Sequence, residues 1–313
     1  MRAATSPSSR VFPLEAPPVR HTLGMPIVSF AGSWNLEPLQ LVPTLVASLL
    51  YLRRCRTLAV RGAPVPPGRR LAFWTGIALV VLALNSPIDQ IGEHDLFFVH
   101  MIQHVLIGDL APLCFVVGLT GPVLRPVLAI RMVDRLRGLS HPFVALPLWA
   151  VDLYAWHVPF LYQQALHHTA IHALEHLCFF TFGGLMWAPV IETLPAPRWF
   201  GTGAKLGYIA LVRAIETVLA NVFMWTSAVL YPWYVHPHPK WGVSAIRDQN
   251  FAGVVMMAEG GAVTLVALAW LFLRMASEGE LRQRLIEQGL DPEVGSRAVR
   301  YGRAEALDPG RAA

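Results

Sequence analysis

Two histidine pairs, His100-x-x-x-His104 and His172-x-x-x-His176, carry the most pointed chemistry in the sequence. Residues four apart lie on one face of an α-helix, one turn from each other, so each pair presents two imidazoles in the same direction. Two such pairs brought together could surround one cation with four nitrogens. A fifth histidine, His157, precedes the second pair by a short connection. His100, His104, His157, His172 and His176 are therefore the candidate metal ligands. Glu175 and Asp95 are candidates to accept a ring N–H and so fix a tautomer. Met101, Met224, Met256 and Met257 lie toward the same helix ends. Thioether with imidazole suits Cu(I), whereas imidazole alone suits zinc as well, so the set leans to copper.

The elements that must hold these residues are membrane helices. The chain is 54% hydrophobic and only 14% charged, with a mean hydropathy of +0.46. A soluble domain carries roughly 25% charged residues. The apolar residues fall into seven blocks, 36–53, 70–87, 95–118, 142–161, 170–191, 205–230 and 251–275. Each is long enough to cross a hydrocarbon core of about 30 Å as a helix. The expected fold is all-α and polytopic, with seven transmembrane helices. Pro64, Pro66, Pro67 and Pro122 mark joins between spans, while Pro43, Pro112 and Pro147 fall inside them.

Basic residues orient the bundle. Arg53, Arg54, Arg56, Arg61, Arg69 and Arg70 follow the first block, and Arg125, Arg131, Arg135 and Arg137 follow the third. Arg198, Lys205 and the seven arginines from Arg274 onward bring one side to nineteen of the 25 basic residues. By the positive-inside rule the N-terminus lies outside and the C-terminus in the cytoplasm. Eleven of the twelve histidines then face outside, and His141 alone faces the cytoplasm. A lone interfacial histidine is ordinarily an amphipathic residue at headgroup level; two spaced pairs with a fifth ring beside them form a stronger pattern. His94, His167, His168, His236, His238 and His21 read as solvated or accessory. Residues 1–33 are expected to form a flexible extracytoplasmic tail without a signal peptide, 34–276 the helical domain, and 277–313 a cytoplasmic tail that begins as an amphipathic helix.

Several function classes drop out. Cys55, Cys114 and Cys178 form no CxxC pair, so neither a zinc ribbon nor a disulfide framework is expected. The net charge of +5 is loop charge rather than a nucleic-acid footprint. No HExxH motif is present, and no carboxylate stands as a clear general base, so an enzyme is not expected. Arg213 and Glu216 should form an ion pair inside the bundle, shared with Glu259. With Asp109 and Asp152 they make no regular acidic ladder of the kind a transport path would need. Asp109 falls on the helical face opposite His100.

Four ordered motifs resemble the CtaG-type cytochrome c oxidase assembly factors. They are His100-Met-Ile-Gln-His104 with Ala111-Pro-Leu and Gly118; Trp156-His157-Val-Pro-Phe-Leu-Tyr162 with His172-Ala-Leu-Glu-His176; Trp241-Gly-Val-Ser with Asp248-Gln-Asn-Phe-Ala-Gly253; and Gly260-Gly261. Asn250 stands where that family has a second Gln, and Glu259 stands in a stretch that is apolar there. The resemblance implies a seven-helix protein of the bacterial plasma membrane that aids maturation of a haem–copper oxidase by delivering copper. It also implies oxidase subunits or an extracytoplasmic copper chaperone as partners, and makes Asp248 a candidate polar ligand or orienting group. From the residues alone, a haem-binding membrane cytochrome, with zinc or haem in place of copper, and a metal transporter stay open.

Overall fold

Proline opens most of the helices. At the first helical position its missing N–H has no intrahelical partner to lose, and its fixed φ is already helical. The computed structural model describes residues 34–35, 38–131, 137–193, 196–197, 199–236 and 240–300. The expected tail 1–33, with His21, and also His238, lie outside the described residues. Helix α1 spans Pro38–Val60, α2 Pro67–Asn85 and α3 Pro87–His94. Helix α4, Phe97–Val105, runs through a π-helical turn, Leu106–Leu110, into α5, Ala111–Gly118. Then come α6 (Gly121–Leu128), α7 (Pro142–Trp156), α8 (Pro159–His167) and α9 (Thr169–Ile191). Helices α10 (Thr202–Trp225), α11 (Ala245–Glu287) and α12 (Pro292–Arg300) complete the chain. Among the described residues there is no strand.

Five stretches are long and apolar enough to cross a membrane: α2, α4 through α5, α9, α10 and α11. The bent pair α7 and α8 makes a sixth if it acts as one span. The block expected at 36–53 does form α1, but Arg53, Arg54 and Arg56 fall in its last third and lower its apolarity below that of the other five. Val42, Leu45, Leu49 and Leu50 on α1 are more than half exposed, as are Leu265, Val266, Phe272 and Leu273 on α11. Apolar faces turned outward in this way are what a lipid environment accepts and water does not.

The block expected as one helix at 142–161 is broken, with a bend of 71° between α7 and α8. Pro159 explains the break. The residue before a proline is driven out of the helical region, and Val158 is extended, with φ −64° and ψ 127°. His157 is left at the C-terminal cap of α7. At the other extreme, the last apolar block and the amphipathic segment after Ser277 are one unbroken 43-residue helix, α11, so the expected boundary at 276/277 lies inside it.

The two largest apolar clusters among the described residues flank the site at different depths. One packs Phe97, Met101, Tyr162, Phe223, Tyr231 and Tyr234 beside the histidines. The second packs Trp149, Met186, Trp187, Phe200 and Tyr208 toward the opposite end. There α9 ends on Glu192 in the left-handed conformation, φ 58°. For a residue with a Cβ that costs about 1–2 kcal/mol. Its carboxylate reaches Lys205 at 2.9 Å and Arg274 at 3.1 Å, and Glu278 binds Arg274 at 2.7 Å.

Candidate metal centre

Two helices bring the paired histidines together, and a pair of glycines sets how closely. His100 and His104 stand on α4, His172 and His176 on α9. Further along the same two helices, a Cβ at Gly183 would overlap the carbonyl oxygen of Gly108 in the π-helical turn. No larger residue than glycine allows α9 that near. The π turn sits directly after His104, and such single widened turns commonly mark functional sites. Trp187 Nε1 adds a clasp by donating to Asp109 Oδ1. Gly92 does the same service for α3, since a Cβ there would lie 2.9 Å from the Cα of His100.

One ligand nitrogen from each of His100, His104, His172 and His176 lies within 4.8 Å of the others. Across the helix interface the His100 and His172 rings are centred 5.3 Å apart, and those of His104 and His176 5.7 Å. Two nitrogens on one ion, each at about 2.0–2.1 Å, can be separated by roughly 4.2 Å at most. The set therefore needs only a small closing movement to enclose a single cation. His100 is 0% exposed, and His104 and His172 are 6%. His176 is partly accessible as a residue, but its Nε2 is sealed. His157 is equally buried, with its ring 6.0 Å from that of His104, so it flanks the four rather than joining them at that spacing.

Proton accounting shows what these rings offer. Carbonyl and carboxylate oxygens only accept hydrogen bonds, and a neutral imidazole has one N–H. The Leu153 carbonyl takes the His157 Nδ1–H at 2.6 Å. The Glu93 carboxylate takes the His172 Nδ1–H at 2.9 Å. His100 is fixed at one remove. Tyr234 spends its hydroxyl proton on the Gly92 carbonyl at 2.8 Å, so its oxygen receives the His100 Nδ1–H at 3.0 Å and the Tyr162 hydroxyl at 3.1 Å. Each of the three rings, when neutral, presents Nε2 as a bare lone pair.

Those lone pairs find little to bond. Nε2 of His157, His172 and His176 and Nδ1 of His104 are sealed and without hydrogen-bond partners. His100 Nε2 lies 2.7 Å from His104 Nε2, a separation that demands a proton or a cation between them. Glu175 is 0% exposed, and both of its oxygens also lack partners. They approach His104 Nε2 at 3.9 Å and His172 Nε2 at 3.8 Å. A buried polar atom left unmade costs about 1–3 kcal/mol. Nitrogen and carboxylate donors convergent, dry and unpaired form a donor set that fits a metal cation.

Several sequence expectations resolve differently. Asp95 does not reach a ligating ring: it binds Lys240 at 2.8 Å and Trp241 at 3.1 Å. Partial burial lifts its carboxyl, but those hydrogen bonds more than offset the effect and hold it below the ordinary aspartate value. Asp248 caps another helix instead of facing the histidines, accepting from the Phe97 and Phe98 amides at 2.7 and 2.8 Å. Gln249 holds the preceding loop through Leu230 and Ala228, and Asn250 donates to the Met224 carbonyl. The Asp-Gln-Asn run is thus a clamp that anchors the start of α4 and the loop bearing Tyr231 and Tyr234. Met101 and Met256 belong to the aromatic core, and Met257 Sδ faces Arg213 at 3.3 Å. Arg213 and Glu216 do pair, at 3.8 Å. His94, His167, His168 and His236 are exposed. His236 Nε2 donates to the His94 carbonyl at 3.2 Å. The orienting residues the sequence reading missed are Tyr234 and Glu93, which come from a loop and from α3.

Comparisons with known proteins give the chain a family. The family model for the cytochrome c oxidase caa3 assembly factor (Caa3_CtaG) matches residues 49–278, which contain all five histidines. Uncharacterized proteins of Mycobacterium bovis and Mycobacterium tuberculosis are each 25% identical over 242 residues, covering 70% of this chain and 36% of theirs. An uncharacterized protein of Mycobacterium leprae is 22% identical over 274 residues, covering 80% of this chain and 41% of its own. The chain therefore spans well under half the length of these curated relatives. No solved structure matches it at a significant level. With a family match across most of its length, the chain belongs to the cytochrome c oxidase caa3 assembly factors of the Caa3_CtaG family.

Proposed function

We propose that this assembly factor holds a copper ion at His100, His104, His172 and His176, flanked by His157, and passes it to an oxidase subunit or receives it from an extracytoplasmic copper chaperone. The single observation that supports the reading is the set of sealed nitrogen lone pairs converging on one point. Copper is cargo here, not a resident cofactor, and the protein's part is to bind and release it without catalysing a reaction. Four nitrogens within 4.8 Å enclose room for one ion and none for a macrocycle, which favours a metal ion over haem. The proposal includes seven spans, with α1 and the bent pair α7–α8 both crossing a bacterial plasma membrane. The N-terminus lies outside, so that the histidines face the side where an extracytoplasmic copper centre is loaded.

Complementation tests the functional half. In a strain lacking the gene, the wild-type chain is expected to restore copper content in the oxidase, whereas a His100→Ala/His104→Ala variant of equal abundance is expected not to. Normal oxidase copper in the deletion strain would remove the delivery reading.

A further inference from the structure

Glu175 is the one acidic side chain in the site with no bond to make. It follows His172 by three residues and precedes His176 by one, so the helix that carries two ligands also turns this carboxylate into the same space. It is 0% exposed, and neither oxygen has a partner. The ionisable groups whose charges act on it from neighbouring helices are Asp152 of α7 and Glu93 of α3, both acidic. Asp152 is 7% exposed, and its Oδ2 is likewise unpartnered. Glu93 is already bound to His172. The described structure therefore surrounds four neutral rings with carboxylates and supplies no lysine or arginine to balance them.

We propose that Glu175 is a further ligand of the four-histidine site and makes it selective for a divalent cation over Cu(I). The inference rests on the metal reading above and specifies the charge of the ion. Carboxylate oxygen is a hard donor suited to doubly charged ions, whereas Cu(I) is satisfied by soft sulfur and by imidazole at low coordination number. A buried carboxylate without a partner is also strongly unfavourable unless charge is brought to it. An M²⁺ ion gains from both terms, and a monovalent ion gains half the charge compensation from the same geometry. Met101 and Met256, which would have favoured Cu(I), are spent on core packing, and Met257 faces Arg213.

The test uses the full-length protein in detergent, with Cu²⁺, Cu⁺ and redox-inert Zn²⁺ each titrated alone against a competing chelator. Wild type is expected to bind Cu²⁺ and Zn²⁺ in competition with one another at a single site. Glu175→Gln, which keeps shape and removes charge, should weaken both divalent ions on the order of a hundredfold. Cu⁺ affinity should change less than about threefold, and that retained binding shows the variant is folded. Equal losses for Cu⁺ and Cu²⁺, or no loss for either, would overturn the proposal. So would a wild type that binds Cu⁺ in preference to Cu²⁺ once chelator affinities are accounted for, a result independent of any variant. A wild type that binds none of the three ions contradicts the metal reading itself, a failure distinct from that of Glu175.

Discussion

Helix α9 has an acid toward each end, Glu175 buried and Glu192 half-buried, and the chain treats the two in opposite ways. At its C-terminus Glu192 meets Lys205 and Arg274, and Glu278 balances Arg274 and accepts from Thr202 at 2.7 Å. Two anions and two cations close on one another. Near its N-terminus Glu175 meets neutral rings and other acids, and both of its oxygens stay unpartnered. One fold, one helix and the same side-chain chemistry thus yield a satisfied clamp and an unsatisfied pocket. The difference is one of charge: the clamp sets its acids against cations, whereas the histidine end leaves its acid among rings and other acids. At the C-terminal end the fold supplies cations to the acid; at the histidine end it supplies none among the described residues.

That contrast can be broken most severely at Gly183. Replacing it with leucine should drive α9 away from the Gly108 carbonyl, abolish metal binding and destabilise the fold by about 3 kcal/mol or more, since overpacking at a backbone contact cannot relax cheaply. Thermal unfolding and metal content read both effects. Lys205→Ala should cost about 2 kcal/mol by removing one of the two cations that hold Glu192, yet leave metal affinity unchanged once folded. A loss of metal in that variant would mean the two ends are not independent.

Metal itself should act at one end only. At a free concentration one hundred times Kd, an ion binding the folded state alone adds about 2.7 kcal/mol of stability. Wild type and Lys205→Ala should gain that increment in a thermal melt, and His172→Ala/His176→Ala should not. His157→Ala is expected to weaken binding about tenfold without removing it, in keeping with a flanking position.

The smallest effect concerns pH at the clamp. Burial lifts the Glu192 carboxyl, but Lys205 and Arg274 more than offset this and hold it below the ordinary glutamate value. A depressed folded value means its stabilising contribution is complete above the unfolded value of about 4.3 and is lost as pH falls through the lower, folded one. Melting temperature should therefore drop more steeply below about pH 4.3 in wild type than in Glu192→Gln. Parallel profiles would show that the clamp contributes nothing.

What was legible in the sequence was local. The i,i+4 pairs followed from helix geometry, and six of the seven apolar blocks became helices or a bent pair apolar enough to span. The breaks came where the cause is one residue or lies far along the chain. Pro159 carried the signal for the bend at His157, but the apolar run through Leu161 masked it. The π turn leaves no mark in periodicity. Tyr234 and Glu93 orient rings from elements distant in sequence, so spacing holds no trace of them. Asp248 stood as a candidate ligand or orienting group through its family motif; here it supplies the N-terminal cap of a different helix, a role that sequence reading expects only from the residue just before it.

The central claim is that the two histidine pairs form one cation site. Its most direct measurement is metal content by mass spectrometry of the purified full-length chain after copper exposure and removal of excess. Wild type should retain one copper per chain, while His100→Ala/His104→Ala and His172→Ala/His176→Ala, each folded by circular dichroism, should retain none. Undiminished copper in either double variant would contradict it.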